Sequence, residues 1–141
     1  MTQRLALVTG GEGGIGTEIC RQLGAAGHRV VTTCLDPEAE NIEAWAEALR
    51  QEGVEADWVQ CDVSDHDACV KMADEVRERF GDVEILVNVA GITRDGFLHK
   101  MAEDQWRSVI DINLNGTFNV TRQFVAAMRE RGFGRVVNIS S

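Results

Sequence analysis

The sequence predicts an α/β protein with a doubly wound parallel sheet, and three observations carry that reading. Short aliphatic runs alternate with segments of helical periodicity along the chain, the pattern of strand–helix units feeding a parallel sheet. A glycine cluster, Gly10-Gly11-Glu12-Gly13-Gly14-Ile15-Gly16, falls between the first aliphatic run and the first helical segment, where such sheets turn backbone amides toward ligands. The 141 residues are 44% hydrophobic and 26% charged, enough for one ordinary core and unlike a disordered chain.

The first strand is Arg4–Thr9, a short aliphatic run of the kind buried on both faces of a parallel sheet. A helix follows from Gly14 to Ala26, because Ile15, Ile19, Leu23 and Ala26 recur at spacings of three and four and Gly27 supplies the stop. The unit then repeats: strand Arg29–Cys34, helix near Glu38–Glu52, strand Asp57–Cys61, helix near His66–Phe80 and strand Glu84–Asn88. A loop around Gly91–Phe97 leads into a helical stretch from about Ala102 to Arg131, broken near Asn113, and a fifth strand spans Arg135–Ile139. No linker or second domain interrupts this order.

Composition narrows the function classes. A formal net charge of −9 with no Lys/Arg-rich stripe disfavours nucleic-acid or anionic-membrane partners. Cys20, Cys34, Cys61 and Cys69 show neither CxxC nor Cys/His ligand spacing, so they read as reduced thiols of a soluble cytoplasmic protein rather than disulfides or zinc ligands. His28, His66 and His99 are scattered singly and carry no metal pattern. No apolar run approaches the ~20 residues that span a bilayer.

The segment Thr9-Gly10-Gly11-Glu12-Gly13-Gly14-Ile15-Gly16 is the candidate phosphate loop. Gly10 permits a tight turn, Gly14 leaves no Cβ between backbone and phosphate, and Gly16 lets the helix pack closely. An acidic domain can still hold an anionic dinucleotide this way, because helix-start amides need no basic side chain. Thr9, Gly10, Gly11, Gly14, Ile15 and Gly16 are accordingly candidate cofactor-binding residues.

The spacing TGxxxGxG resembles the short-chain dehydrogenase/reductase family, and the likeness extends along the chain. Asp62-Val63 follows the third strand, Asn88-Val89-Ala90-Gly91 the fourth, Asn113 lies in Ile112-Asn113-Leu114, and Asn138-Ile139-Ser140-Ser141 ends the fifth. The resemblance implies a Rossmann-like fold in which Asp62 meets the adenine edge, Val63 adds backbone contacts, and Asn88, Ala90 and Gly91 steady the sheet and line the cofactor. Val89 stands where the family has asparagine, which removes one side-chain hydrogen bond. The family's catalytic set is Asn, Ser, Tyr and Lys; Asn113 and Ser141 match the first two. The chain has no tyrosine and shows no YxxxK segment. With a bare apolar edge strand at its end, residues 1–141 are expected to be a partial NAD(P)-binding domain of a longer single-domain enzyme, truncated after the fifth strand.

Family members that prefer NAD place a carboxylate at the end of the second strand. Cys34 stands there, which favours NADP (as NADPH), although Asp36 competes and no Arg lies in Leu35–Asn41. Gly91-Ile-Thr-Arg-Asp95, His99-Lys-Met101 and Gly134-Arg-Val-Val-Asn-Ile-Ser-Ser141 resemble the family group that reduces acetoacetyl-CoA in polyhydroxybutyrate synthesis. The reductases of 3-oxoacyl chains on acyl-carrier protein share Gly-Ile-Thr-Arg-Asp. The expected substrate is therefore an acyl-CoA, with a carrier-protein thioester as the alternative, or a non-catalytic dinucleotide-binding module if the chain is complete. Trp106, Val109, Ile110 and Leu114 have helical spacing and are expected to pack; Trp45 and Trp58 read as partly buried anchors. Phe118, Val120, Phe124, Val125 and Met128 put apolar residues on more than one helix face, and the resemblance implies that this helix joins subunits, as a homotetramer.

Overall fold

The computed structural model describes residues 2–140. Five strands form one all-parallel sheet: β1 (Leu5–Thr9), β2 (Arg29–Cys34), β3 (Ala56–Gln60), β4 (Val83–Asn88) and β5 (Arg135–Asn138), in the order β3-β2-β1-β4-β5. The helices are α1 (Gly14–Ala25), α2 (Ile42–Gln51), α3 (His66–Arg79), α4 (Glu103–Val109) and α5 (Gly116–Arg131). None of the described helices is long and apolar enough to cross a membrane.

The doubly wound reading holds because β1 is apolar on both faces. Leu5 and Leu7 enter a core with Met72 and Val76 of α3 and Val120 and Phe124 of α5. Ala6 and Val8 alternate into a second core with Cys20 of α1 and Leu49 of α2. Each fully buried Leu or Val contributes roughly 1.5–3 kcal/mol, so this one strand ties both helix layers together. The order reverses between β1 and β4, and a crevice opens at the carboxyl ends of the strands there.

Local chemistry explains the helix ends. Asp65 caps α3 by accepting from the Ala68 N–H at 3.2 Å, and Gly132 at φ 72° closes α5. α2 starts at Ile42, four residues later than its periodicity predicts. The Asp36 carboxylate accepts from the amides of Glu38 and Ala39, holding this stretch as a turn until Asn41, at φ 50°, releases the chain into the helix. Trp45 and Trp58 are half-buried as expected, their indole N–H groups donating to Thr17 Oγ1 at 3.1 Å and Glu43 Oε2 at 2.6 Å.

The break expected near Asn113 is a π-helical segment, Ile110–Asn115, between α4 and α5. It overturns the expectation that Trp106 and Leu114 pack: they are 57% and 64% exposed, with Val109 and Ile110 only half-buried. An extra residue in a helical turn rotates the apolar stripe by about 100°, so residues before the break leave the line that Val120, Phe124 and Met128 continue into the core. On α5 itself the two-faced reading holds, since Phe118 and Val125 are exposed beside those buried residues.

Candidate active site

A cleft of about 520 Å³ lies over the β1–β4 switch point, lined by the glycine loop, the end of β2, Cys61–Val63 after β3, and Val89–Ile92 after β4. Its size is that of a small-molecule site. Gly10 takes φ +62°, and a Cβ there would meet the Ala90 Cα at 3.0 Å, so two loops close on one another only with glycine at this position. Gly16 is equally constrained, its Cβ position lying 2.5 Å from the Gly10 carbonyl oxygen and 2.6 Å from the Gly11 Cα. Gly16 lies in the first turn of α1, so this approach is the close packing of the helix on the loop after β1 that the sequence assigns to it. Nothing approaches a Cβ on Gly14, which leaves that space for a ligand.

No side chain among the described residues caps α1. The first amides of a helix lack intrahelical partners and carry the positive end of its dipole. Gly14, Ile15 and Gly16 thus offer N–H groups to an anion at the cleft wall, with Ile15 exposed there. The loop is braced from beneath. Thr32, fully buried on β2, accepts from the Gly11 N–H at 2.7 Å and donates to the Val8 carbonyl at 2.9 Å. Thr17 donates to the Gly11 carbonyl.

Thr9 turns out to be a brace as well. Its hydroxyl accepts from the amides of Val89 and Ala90 at 3.0 and 3.1 Å, fastening the end of β1 to the loop after β4. Asn88, buried, donates to Thr121 Oγ1 at 3.0 Å and Asn138 Oδ1 at 2.9 Å, joining β4 to α5 and β5. Val89 packs its side chain on the α1–α2 core, an apolar replacement for the hydrogen bond its position lacks. Ala90 and Gly91 line the cleft. Asp62 is exposed at the rim, its carboxylate accepting from Ser64, and Val63 is buried with its carbonyl accepting from Asn119 Nδ2 at 3.0 Å.

Asn113 reaches the site from the π segment. Its Oδ1 accepts from the Ile92 N–H at 2.8 Å and its Nδ2 donates to the Ile92 carbonyl at 2.9 Å. Both ends of the amide are committed to one backbone residue, so the side chain positions the cleft wall. The Asn113 carbonyl accepts from Thr117 Oγ1 at 2.9 Å. Ser141 lies outside the described residues.

Sequence reasoning missed two acidic residues of the cleft, Glu12 and Glu40, and no Lys, Arg or His stands among its described lining residues. Glu12 was visible as a carboxylate inside a phosphate loop; Glu40 sits six residues beyond β2 and gave no signal. Burial pushes the Cys34 thiol up to about 12, helped by the charges of Glu40, Glu12 and Asp36. Cys20 rises to about 12, through burial and then Glu12. All four cysteines are buried and free, with Cys61 and Cys69 sulfurs 3.8 Å apart.

A family model described as short chain dehydrogenase matches residues 4–141. The chain belongs to that family. It is 50% identical over 138 residues to an acetoacetyl-CoA reductase of Allochromatium vinosum, an alignment covering 98% of this chain and 56% of the relative. With an acetoacetyl-CoA reductase of Cupriavidus necator it shares 46% identity over 141 residues, 100% of this chain and 57% of the other. A solved actinorhodin polyketide ketoreductase variant with NADPH superposes with a TM-score of 0.93 at 42% identity, covering 99% of this chain and 53% of that one. The chain spans a little over half the length of the curated relatives it matches.

Proposed function

We propose that the whole protein is an NADPH-dependent reductase of 3-oxoacyl thioesters, converting acetoacetyl-CoA to (R)-3-hydroxybutyryl-CoA in polyhydroxybutyrate synthesis. The observation that carries this is the uncapped start of α1 within a glycine loop at the sheet's switch point, in a chain half identical to an acetoacetyl-CoA reductase. The cleft fits a dinucleotide: the open space at Gly14 and the amides of Gly14–Gly16 suit a pyrophosphate, while Val63 and Ala90–Gly91 flank the remainder. The absence of a carboxylate at Cys34 and the NADPH of the polyketide ketoreductase support the phosphorylated form.

When bound, the cofactor would supply a hydride to the C3 ketone carbon of the 3-oxoacyl chain, the thioester carbonyl being left intact. The residues of this chain set the stage for that transfer. Thr9 and Gly10 hold the two loops together, and Asn113 fixes Ile92 at the cleft wall. By resemblance Ser141 would orient the carbonyl oxygen, and a Tyr–Lys pair of the whole protein would deliver the proton, the lysine lowering the phenol's pKa. The exposed apolar residues Leu114, Phe118 and Val125 support assembly as a homotetramer, and four free buried cysteines support a reducing cytoplasmic setting.

The test is oxidation of NADPH by the whole protein with acetoacetyl-CoA, and with the same acyl group on acyl-carrier protein. Turnover of the CoA thioester supports the proposal. Turnover confined to the carrier-protein thioester assigns the protein to fatty-acid synthesis, and dinucleotide binding without turnover makes it a binding module.

A further inference from the structure

The end of β2 lacks a carboxylate in sequence yet gains two in space. Glu40 reaches back from the turn after β2, its Oε2 accepting from the Leu35 N–H at 3.1 Å. Glu12 comes from the glycine loop, with Oε2 buried and unpartnered among the described residues. Both carboxylates line the same cleft as Cys34, their charges bear on its thiol, and that of Glu40 bears on Glu12. Among the described lining residues, Glu12, Glu40 and Asp62 are the charged ones.

We infer that Glu12 and Glu40 together take the part of the missing strand-end carboxylate: they accept hydrogen bonds from the adenosine ribose hydroxyls and hold down affinity for the 2′-phosphorylated cofactor. NADH then serves alongside the NADPH of the proposed reaction. The inference rests on reading the cleft as the dinucleotide site, and it concerns residues on two separate segments rather than the strand end itself. A ribose diol can donate to the carboxylates of Glu12 and Glu40, which line the cleft. A 2′-phosphate brings ≈ −1.5 to −2 charge at neutral pH and three acceptor oxygens, with no donor for a carboxylate and no cation among the described lining residues to meet it. Like charges in a partly buried cleft repel far more than in bulk water.

The experiment is a fluorescence titration of the whole protein with NADPH and with NADH, for wild type, Glu12→Gln, Glu40→Gln and the double variant. Each single change should shift the NADPH-to-NADH affinity ratio toward NADPH by about tenfold, and the double variant further. The gain should come from tighter NADPH binding with NADH unchanged or weakened, a pattern that misfolding cannot produce. Ratios within about twofold of wild type in all three variants would overturn the inference. Failure of wild type to bind either dinucleotide would instead overturn the proposed function, and this inference with it.

Discussion

β1 and β5 lie two strands apart in one sheet and are both rich in aliphatic residues, Leu-Ala-Leu-Val-Thr against Arg-Val-Val-Asn. All five residues of β1 are buried and all four of β5 are exposed. β1 pairs on both sides and meets a helix layer on each face, whereas among the described residues β5 pairs with β4. Burial is thus conferred by neighbours and not by strand composition. The same contrast separates the two parts of the candidate site. The glycine loop is braced by Thr32, Thr17 and the close approach to Ala90, while the π segment packs Ile112 on the core and reaches the loop after β4 through the exposed amide of Asn113.

The largest effect should come from the braced side. In Gly16→Ala the new Cβ meets backbone atoms, which cannot yield as a side chain tip does. We expect a loss of about 2–3 kcal/mol of stability, read by denaturant unfolding, together with loss of measurable dinucleotide binding. Gly14→Ala sharpens the point, because its Cβ meets no protein atom. Stability should hold while dinucleotide affinity falls about tenfold, roughly 1.4 kcal/mol. Equal losses of stability in the two variants would show that the loop tolerates or rejects side chains uniformly.

A matched pair of truncations tests the strands directly. Val8→Ala in β1 removes a side chain that is 0% exposed, and Val137→Ala in β5 one that is 47% exposed. The first should cost about 2 kcal/mol and the second under about 0.5 kcal/mol in this chain. If urea midpoints move alike, the burial difference does not describe the folded state in solution.

These contrasts mark what the sequence could and could not reveal. Strands and helices were legible because aliphatic runs and helical spacing are local properties, and even the break at Asn113 showed as an interruption. The π form was not, since it is defined by backbone hydrogen bonds that side-chain spacing does not report; Trp106, before the segment, and Leu114, within it, are exposed. In the site, Gly10, Gly14 and Gly16 were legible through the geometry that glycine alone permits. Thr32, Asn119 and Glu40 were not, because each acts on a backbone or pocket that only folding brings near. Thr9 was legible as part of the glycine segment but not as a brace, because its partners, the amides of Val89 and Ala90, lie eighty residues away in sequence.

On the weaker side, Asn113→Leu removes both hydrogen bonds to Ile92 while keeping similar volume. The exposed setting limits the stability loss to about 1 kcal/mol. Amide exchange at Ile92 should accelerate, and turnover of the whole protein should drop more than its dinucleotide affinity. Unchanged exchange at Ile92 would mean that the loop after β4 is held from the Thr9 side alone.

The smallest effect is a pH dependence seated in the braced loop. Burial raises the Glu12 pKa above 4.5, its own backbone hydrogen bond opposes this, and the charge of Glu40 adds to the rise. A carboxyl whose folded-state pKa exceeds its unfolded one binds its proton more tightly in the folded chain. Its favourable contribution is complete below the unfolded value near 4.5 and is lost as pH climbs through the raised folded value. Above that point the ionised, half-buried carboxylate has given up the advantage. Glu12→Gln cannot ionise, so its melting temperature should match wild type near pH 4 and exceed it near pH 8. A gap of constant size across that range would attribute the gain to packing instead of charge. A gap that opens with pH would show that even the braced glycine loop keeps one group, Glu12, whose ionisation works against folding.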